Sequence, residues 1–287
     1  MIFLALLLAL ALPAAADAAK PEQQLYVSLG DSYAAGFQPS APGEGAYTRN
    51  GFAYRVPELA AHRGYRYKLV NFACGGETTA SLLERTTPCE GLGPGGVHYG
   101  GRTQIAAAER FLREHRGKVG LITVSIGGND VTACARGPVD PIACVGAAVE
   151  SIKQNVTRIA ERLRKAAGKK VRIVGITYPD VILGQWVGAS PNQDLARLSV
   201  VAFRQLINPA LKDAYAAGDG RFVDVTAATG TYGSLEETTT YEPFGTVPVP
   251  VAKVCELTYY CVYRDIHARS GGYKLIAGLI AKTLPRR

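Results

Sequence analysis

The sequence predicts an α/β protein in which a parallel five-stranded sheet lies between two helical layers, a three-layer α/β/α sandwich. Three observations carry that expectation. Five short apolar runs, residues 25–29, 68–73, 119–125, 171–176 and 221–225, have the length and composition of buried strands. Helical patterns alternate with them, and strands separated by helices build parallel sheets covered on both faces. No break in composition divides the 287 residues, a length that one domain can fill.

The elements follow in chain order. Residues 1–19 read MIFLALLLALALPAAADAA. The apolar run from Ile2 to Leu12 is short for a bilayer span, and the Ala-rich end offers cleavage points after Ala16, Ala18 or Ala19, the pattern of a secretory signal peptide. Export to the outside of the cell is therefore expected, with residues 20–287 as a single domain. The first strand runs into Gly30-Asp31-Ser32, where Ser32 is either the cap of a following helix or a serine presented for chemistry. Residues 37–53 are loop-rich. The second strand leads into NFACGGETT, a helix is expected over 102–116, and the third strand leads into SIGGNDV. Ile152, Val156, Ile159 and Leu163 repeat at helical spacing within 150–166. Ser190-Pro191-Asn192-Gln193 combines a capping serine, a first-turn proline and a glutamine at the third position, so a helix is expected to begin near Ser190. Residues 226–264 form a long insertion. Its stretch YEPFGTVPVPVAKVCELTYYC reads either as the wall of an apolar substrate cleft or as a disulfide-pinned flap. The last helix is expected from about Ser270 to Thr283.

Six cysteines, an even number without a CxxC pair, fit disulfides in an exported protein better than a metal site. They fall into sequential couples, which predicts Cys74 with Cys89, Cys134 with Cys144 and Cys255 with Cys261. Only four histidines are present; His62, His98 and His115 sit in charged or Gly-rich surroundings that read as surface, leaving too few clustered ligands for zinc. Formal charge is +8, and removing residues 1–19 takes away only Asp17, giving +9. Such a balance is compatible with anionic surfaces or nucleic acid as partners. The basic residues are dispersed, however, as in RIAERLRKAAGKK, which reads as a solvated helix face rather than a nucleic-acid site.

Ligands of parallel sheets bind at the carboxyl ends of the strands. Four motifs fall there: Ser32 after the first strand, Gly75-Gly76 after the second, Asn129 after the third, and Asp265 with His267 before the last helix. A serine hydroxyl becomes a nucleophile when a neutral imidazole takes its proton, and a carboxylate beside that imidazole fixes its tautomer. Amide donors then stabilise the oxyanion. The first turn, Gly30-Asp31-Ser32-Tyr33-Ala34, lacks the last glycine of G-x-S-x-G, which counts against an α/β-hydrolase. Neither a P-loop nor G-x-G-x-x-G follows the first strand, so nucleotide binding has no support.

GDSYAAG, GGETT, GGND and DIH, in that order, resemble the four blocks of the SGNH hydrolases, the GDSL esterases and lipases. The likeness runs from Gly30 to the final helix and implies a flavodoxin-like sheet order. It implies Ser32 as nucleophile, His267 as base, Asp265 as acid, and the Ser32 and Gly76 amides with the Asn129 side chain as oxyanion donors. Gly75 is the rival to Gly76, and Asp31 looks structural. One position departs from the family pattern: the acid usually stands three residues before the histidine, where this chain has Arg264, so a backbone carbonyl is the alternative partner of His267. The resemblance implies a secreted serine ester hydrolase, a carboxylesterase or lipase that needs no cofactor and takes a small-molecule or lipid ester. Phe244–Val251 and Trp186 suggest a lipid substrate. An O-acetyl esterase of acetylated polysaccharide is the alternative, followed by a non-catalytic envelope-binding domain.

Overall fold

A computed structural model describes residues 21–134 and 140–287. The expected signal peptide lies outside the described residues. Five strands form the central sheet: β1 (Gln23–Gly30), β2 (Arg66–Asn71), β3 (Val119–Ser125), β4 (Arg172–Ile176) and β5 (Arg221–Val223). Their spatial order is β2-β1-β3-β4-β5 and every pairing is parallel. The chain winds outward from β1 to β2 and then crosses to β3 on the other side. The carboxyl ends of β1 and β3 therefore flank the switch point at which such sheets bind ligands.

Alternation along the strands feeds two cores. Val27, Leu29, Ile122 and Val124 face one layer, made by α3 (Thr79–Glu84), α4 (Gln104–Glu114), α6 (Pro141–Ala167) and α8 (Asn208–Ala217). Tyr26, Leu121, Val174 and Ile176 face the other, where α2 (Phe52–Ala61) packs beside α12 (Ser270–Lys282). Strand residues buried on both faces explain the near-continuous apolar runs of the sequence. A third, smaller cluster holds Leu183, Val187, Val251, Val254 and the Cys255–Cys261 bridge.

Several expectations change. The helix expected over 150–166 begins at Pro141, and the one expected near Ser190 begins at Gln193 as α7 (Gln193–Ala202). Its cap is Asn192, whose side chain accepts from the Leu195 amide at 2.9 Å. The loop-rich stretch after Gly36 folds as an antiparallel hairpin, residues 37–41 with 44–47. The long insertion is likewise structured, with α9 (Val225–Ala228) at its start, a second hairpin, α10 (Val249–Leu257) and α11 (Tyr260–Tyr263). The structure joins Cys74 to Cys89, Cys134 to Cys144 and Cys255 to Cys261. Among the described residues no helix is long and apolar enough to cross a membrane.

Candidate active site

Glycine is required where β1 ends. Gly30 has φ +134°, and a Cβ there would stand 2.0 Å from the Ser125 carbonyl oxygen. The Gln104 side chain meets both backbone groups of Gly30, accepting from its amide at 2.7 Å and donating to its carbonyl at 3.0 Å. The chain then turns into the short helix α1 (Ser32–Ala35), capped by Asp31, whose Oδ1 accepts from the Tyr33 amide at 3.0 Å. Both early readings of the turn are thus divided between neighbours: Asp31 caps, and Ser32 keeps its hydroxyl for the site.

Asp31 is buried and receives the Tyr178 hydroxyl on Oδ2 at 2.5 Å. Burial pushes its carboxyl up to about 7, opposed by the Tyr178 and Tyr33 hydrogen bonds. Tyr33 and Tyr178 are themselves pushed well above the ordinary tyrosine range by burial, so both remain donors. The Tyr33 hydroxyl donates to the carbonyl of Ile266, the residue before His267. That bond fastens the serine turn to the loop bearing Asp265 and His267.

His267 Nε2 lies 2.7 Å from Ser32 Oγ, and Nδ1 lies 2.7 Å from Asp265 Oδ1. The same carboxylate oxygen accepts from the His267 backbone amide at 2.8 Å. With Nδ1–H donating to the carboxylate, the Nε2 lone pair faces the serine hydroxyl. The aromatic rings of Tyr33 and Phe37 cover the imidazole, with centroids at 5.7 and 4.6 Å. Arg264, in the left-handed conformation at φ +53°, is turned away and donates to the Gly184 and Val187 carbonyls at 3.0 and 2.6 Å.

The glycine turn is held against the serine turn by the Cys74 amide, which donates to the Gly30 carbonyl at 3.0 Å. Gly75 donates its amide to the Gly91 carbonyl at 2.9 Å. The Gly76 amide has no protein acceptor among the described residues. Asn129, on α5 (Gly128–Thr132), gives one of its two side-chain hydrogens to the Glu77 carbonyl at 2.8 Å and keeps the other. Its neighbour Asp130 receives the Thr79 amide at 3.0 Å and the Thr79 hydroxyl at 2.6 Å. The second and third motifs are therefore locked together at the switch point.

A cavity of about 310 Å³ opens beside Ser32 and Asn129. Its walls are apolar, drawn from Val131, Ile152, Val181, Leu195, Phe203 and Leu211 among others. Phe244, Val247 and Val251, from the stretch that reads either as a cleft wall or as a disulfide-pinned flap, pack with Trp186 in the third apolar cluster. Their proline-rich stretch builds a supporting helix, while the cavity wall comes from α5, α6, α7 and α8, the turn after α7 and the segment after β4. Gln104, Tyr33 and Tyr178 were not singled out from the sequence. Tyr178 could have been, because it follows the end of β4 as the other site residues follow theirs; Gln104 carries no such signal. Among the described residues no group of three His, Cys, Asp or Glu side chains could hold a metal ion.

The model of the GDSL-like lipase/acylhydrolase family matches residues 28–275. Among solved structures, the fold is similar to phospholipase A1 from Streptomyces albidoflavus NA297, at 17% identity and TM-score 0.55, covering 91% of this chain and 99% of that one. An extracellular lipase from Streptomyces rimosus aligns at 18% identity and TM-score 0.47, with 91% and 100% covered. The aryl esterase of M. smegmatis aligns at 11% identity and TM-score 0.47, with 91% and 97% covered. A comparison with curated proteins found no match.

Proposed function

The chain belongs to the GDSL-like lipase/acylhydrolase family, and from that premise we propose that it is a secreted serine ester hydrolase acting on esters with an extended acyl chain. Ser32 Oγ attacks the ester carbonyl while His267 Nε2 takes its proton. Asp265 holds the imidazole in the required tautomer and stabilises its cation. The oxyanion is met by the Ser32 and Gly76 amides and by the remaining Asn129 hydrogen. His267 then protonates the departing alcohol, and a water activated by the same imidazole releases the acid from Ser32. The continuous hydrogen bonding from Asp265 through His267 to Ser32 carries this reading. Export of one domain over 20–287 is supported by the sequence of residues 1–19 and by three disulfides.

The cavity favours an acyl chain over an acetyl group. A dry apolar cavity of ~150 Å³ holds a benzene ring, so the 310 Å³ here admits a chain of roughly ten carbons. Hydrolysis of chromogenic esters of increasing chain length, by the mature protein and by Ser32→Ala, tests the proposal. Turnover that peaks above acetyl and vanishes in the variant is expected. Activity confined to acetyl esters or acetylated glycan would replace the acyl-chain reading with the O-acetyl esterase; no turnover on any ester would leave a non-catalytic binding domain.

A further inference from the structure

The helical run that walls the cavity also carries an exposed apolar surface. Among the described residues four large apolar side chains are exposed: Leu198, Val201, Leu206 and Val262. The first three, at 37, 45 and 44% exposure, stand on α7 and on the π-helical turn that follows it, Phe203–Ile207. All three line the cavity that opens at Ser32. Single exposed apolar side chains are ordinary, but a group of them around one opening marks a contact surface.

Two cations stand beside these side chains in the chain, Arg197 before Leu198 and Arg204 between Val201 and Leu206. Arg197 and Arg204 are exposed, and their guanidinium groups lie over the Trp186 and Tyr232 rings at 4.7 and 4.8 Å. Arg204 also donates to the Tyr232 carbonyl at 2.9 Å. Among the described residues neither arginine has a carboxylate within ion-pair distance. The acid of α7 is Asp194, in its first turn. The aromatic supports hold both charges at the surface, and the whole chain adds a formal +8.

We propose that this face, Leu198, Val201 and Leu206 with Arg197 and Arg204, is a docking surface for the anionic lipid bilayer, set so that the cavity mouth lies against the lipid. The inference rests on the reading of the cavity as an acyl site. An acyl chain entering through an apolar rim pressed into the headgroup region passes from hydrocarbon to hydrocarbon without exposure to water. The arginines meet lipid phosphates, which supply the charge that the protein itself does not. A second copy of the chain is a poorer occupant, because a stable interface takes roughly 20–30 residues a side.

Sedimentation with vesicles of phosphatidylcholine alone, or with phosphatidylglycerol added, tests the surface on the Ser32→Ala protein, in which hydrolysis cannot alter the lipid. Binding to the anionic vesicles is expected, weakened about 30-fold by Arg197→Gln with Arg204→Gln and lost in Val201→Asp with Leu206→Asp. The arginine pair, placed in an otherwise wild-type protein, should leave hydrolysis of a soluble acetyl ester unchanged. Equal binding by the aspartate variant, or no binding by the parent, overturns the proposal. So does a dimer in light scattering that the aspartates dissociate, since the rim would then belong to a second copy. Failure of the wild-type protein on every soluble ester overturns the ester reading instead, and the vesicle result still reads docking alone.

Discussion

Oδ1 of Asp265 accepts two hydrogen bonds from one residue, His267: the ring Nδ1 at 2.7 Å and the backbone amide at 2.8 Å. A side chain that bonds the amide two residues ahead closes an Asx-turn. That turn seats the carboxylate beneath the imidazole at a spacing of two residues. Asp265→Asn presents a neutral amide to Nδ1 and removes the stabilisation of the imidazolium. We expect kcat on a soluble ester to fall by ~10³ to 10⁴, with the melting temperature little changed. An Asp265→Asn protein retaining most of its turnover would assign the orientation of His267 to another group.

The two glycines of the second motif separate by environment. A Cβ on Gly75 would stand 1.8 Å from the Tyr47 hydroxyl, whereas one on Gly76 meets nothing within 4 Å and is opposed by its φ of +75° alone. Gly75→Ala should therefore lower stability more than Gly76→Ala. Asn129→Ala removes both a proposed oxyanion donor and the bond to Glu77, so kcat should drop by ~10² to 10³ with KM far less affected. A change confined to KM would place Asn129 in ground-state binding.

Asp180 gives stability a pH dependence. Its carboxyl is buried, Oδ2 accepts from the Ser199 hydroxyl at 2.8 Å, and among the described residues its Oδ1 has no hydrogen-bond partner. Burial pushes it up to about 7, while an unfolded aspartate titrates near ~3.9. Between those values the folded state holds the additional proton, so the contribution of Asp180 to stability is greatest below ~4, falls as pH rises and levels beyond about 7. Asp180→Asn stays neutral throughout, keeps an acceptor for Ser199 and puts an amide where the unpartnered oxygen was. Thermal melts should show the variant gaining on the parent as pH rises. Part of the slope should persist, because Asp31 is pushed up to about 7 by the same cause. Parallel melting curves at every pH would mean that Asp180 is ionised in the fold.

The sheet was legible because strands buried on both faces leave apolar runs that no polar alternation interrupts, as at residues 119–125. The site motifs were legible because each follows a strand end or precedes the last helix. What stayed hidden depends on packing between distant segments. Gln104 meets Gly30 across 74 residues, and Tyr178 meets Asp31 across 147. The stretch between Tyr241 and Cys261 reads two ways for a related reason: its proline and aromatic density signals apolar surface without saying which apolar partner that surface finds. The start of α7 differs because Asn192 caps as well as Ser190 and stands nearer the apolar repeat.

Ala202 offers a test of the cavity from its wall. It is partly buried, lines the cavity and packs against the first core. Ala202→Phe adds a ring where the proposed acyl chain lies. Turnover of decanoyl esters should fall ~100-fold in kcat/KM, since a few methylenes excluded from an apolar pocket cost this much, while acetyl esters, which reach only the Ser32 end, keep theirs. Overpacking costs ~1 to 3 kcal/mol, so a modest fall in melting temperature accompanies the change. The ratio of decanoyl to acetyl hydrolysis is the decisive quantity, because lost stability lowers both rates together and lost cavity lowers one. An unchanged ratio would place the acyl chain outside this cavity.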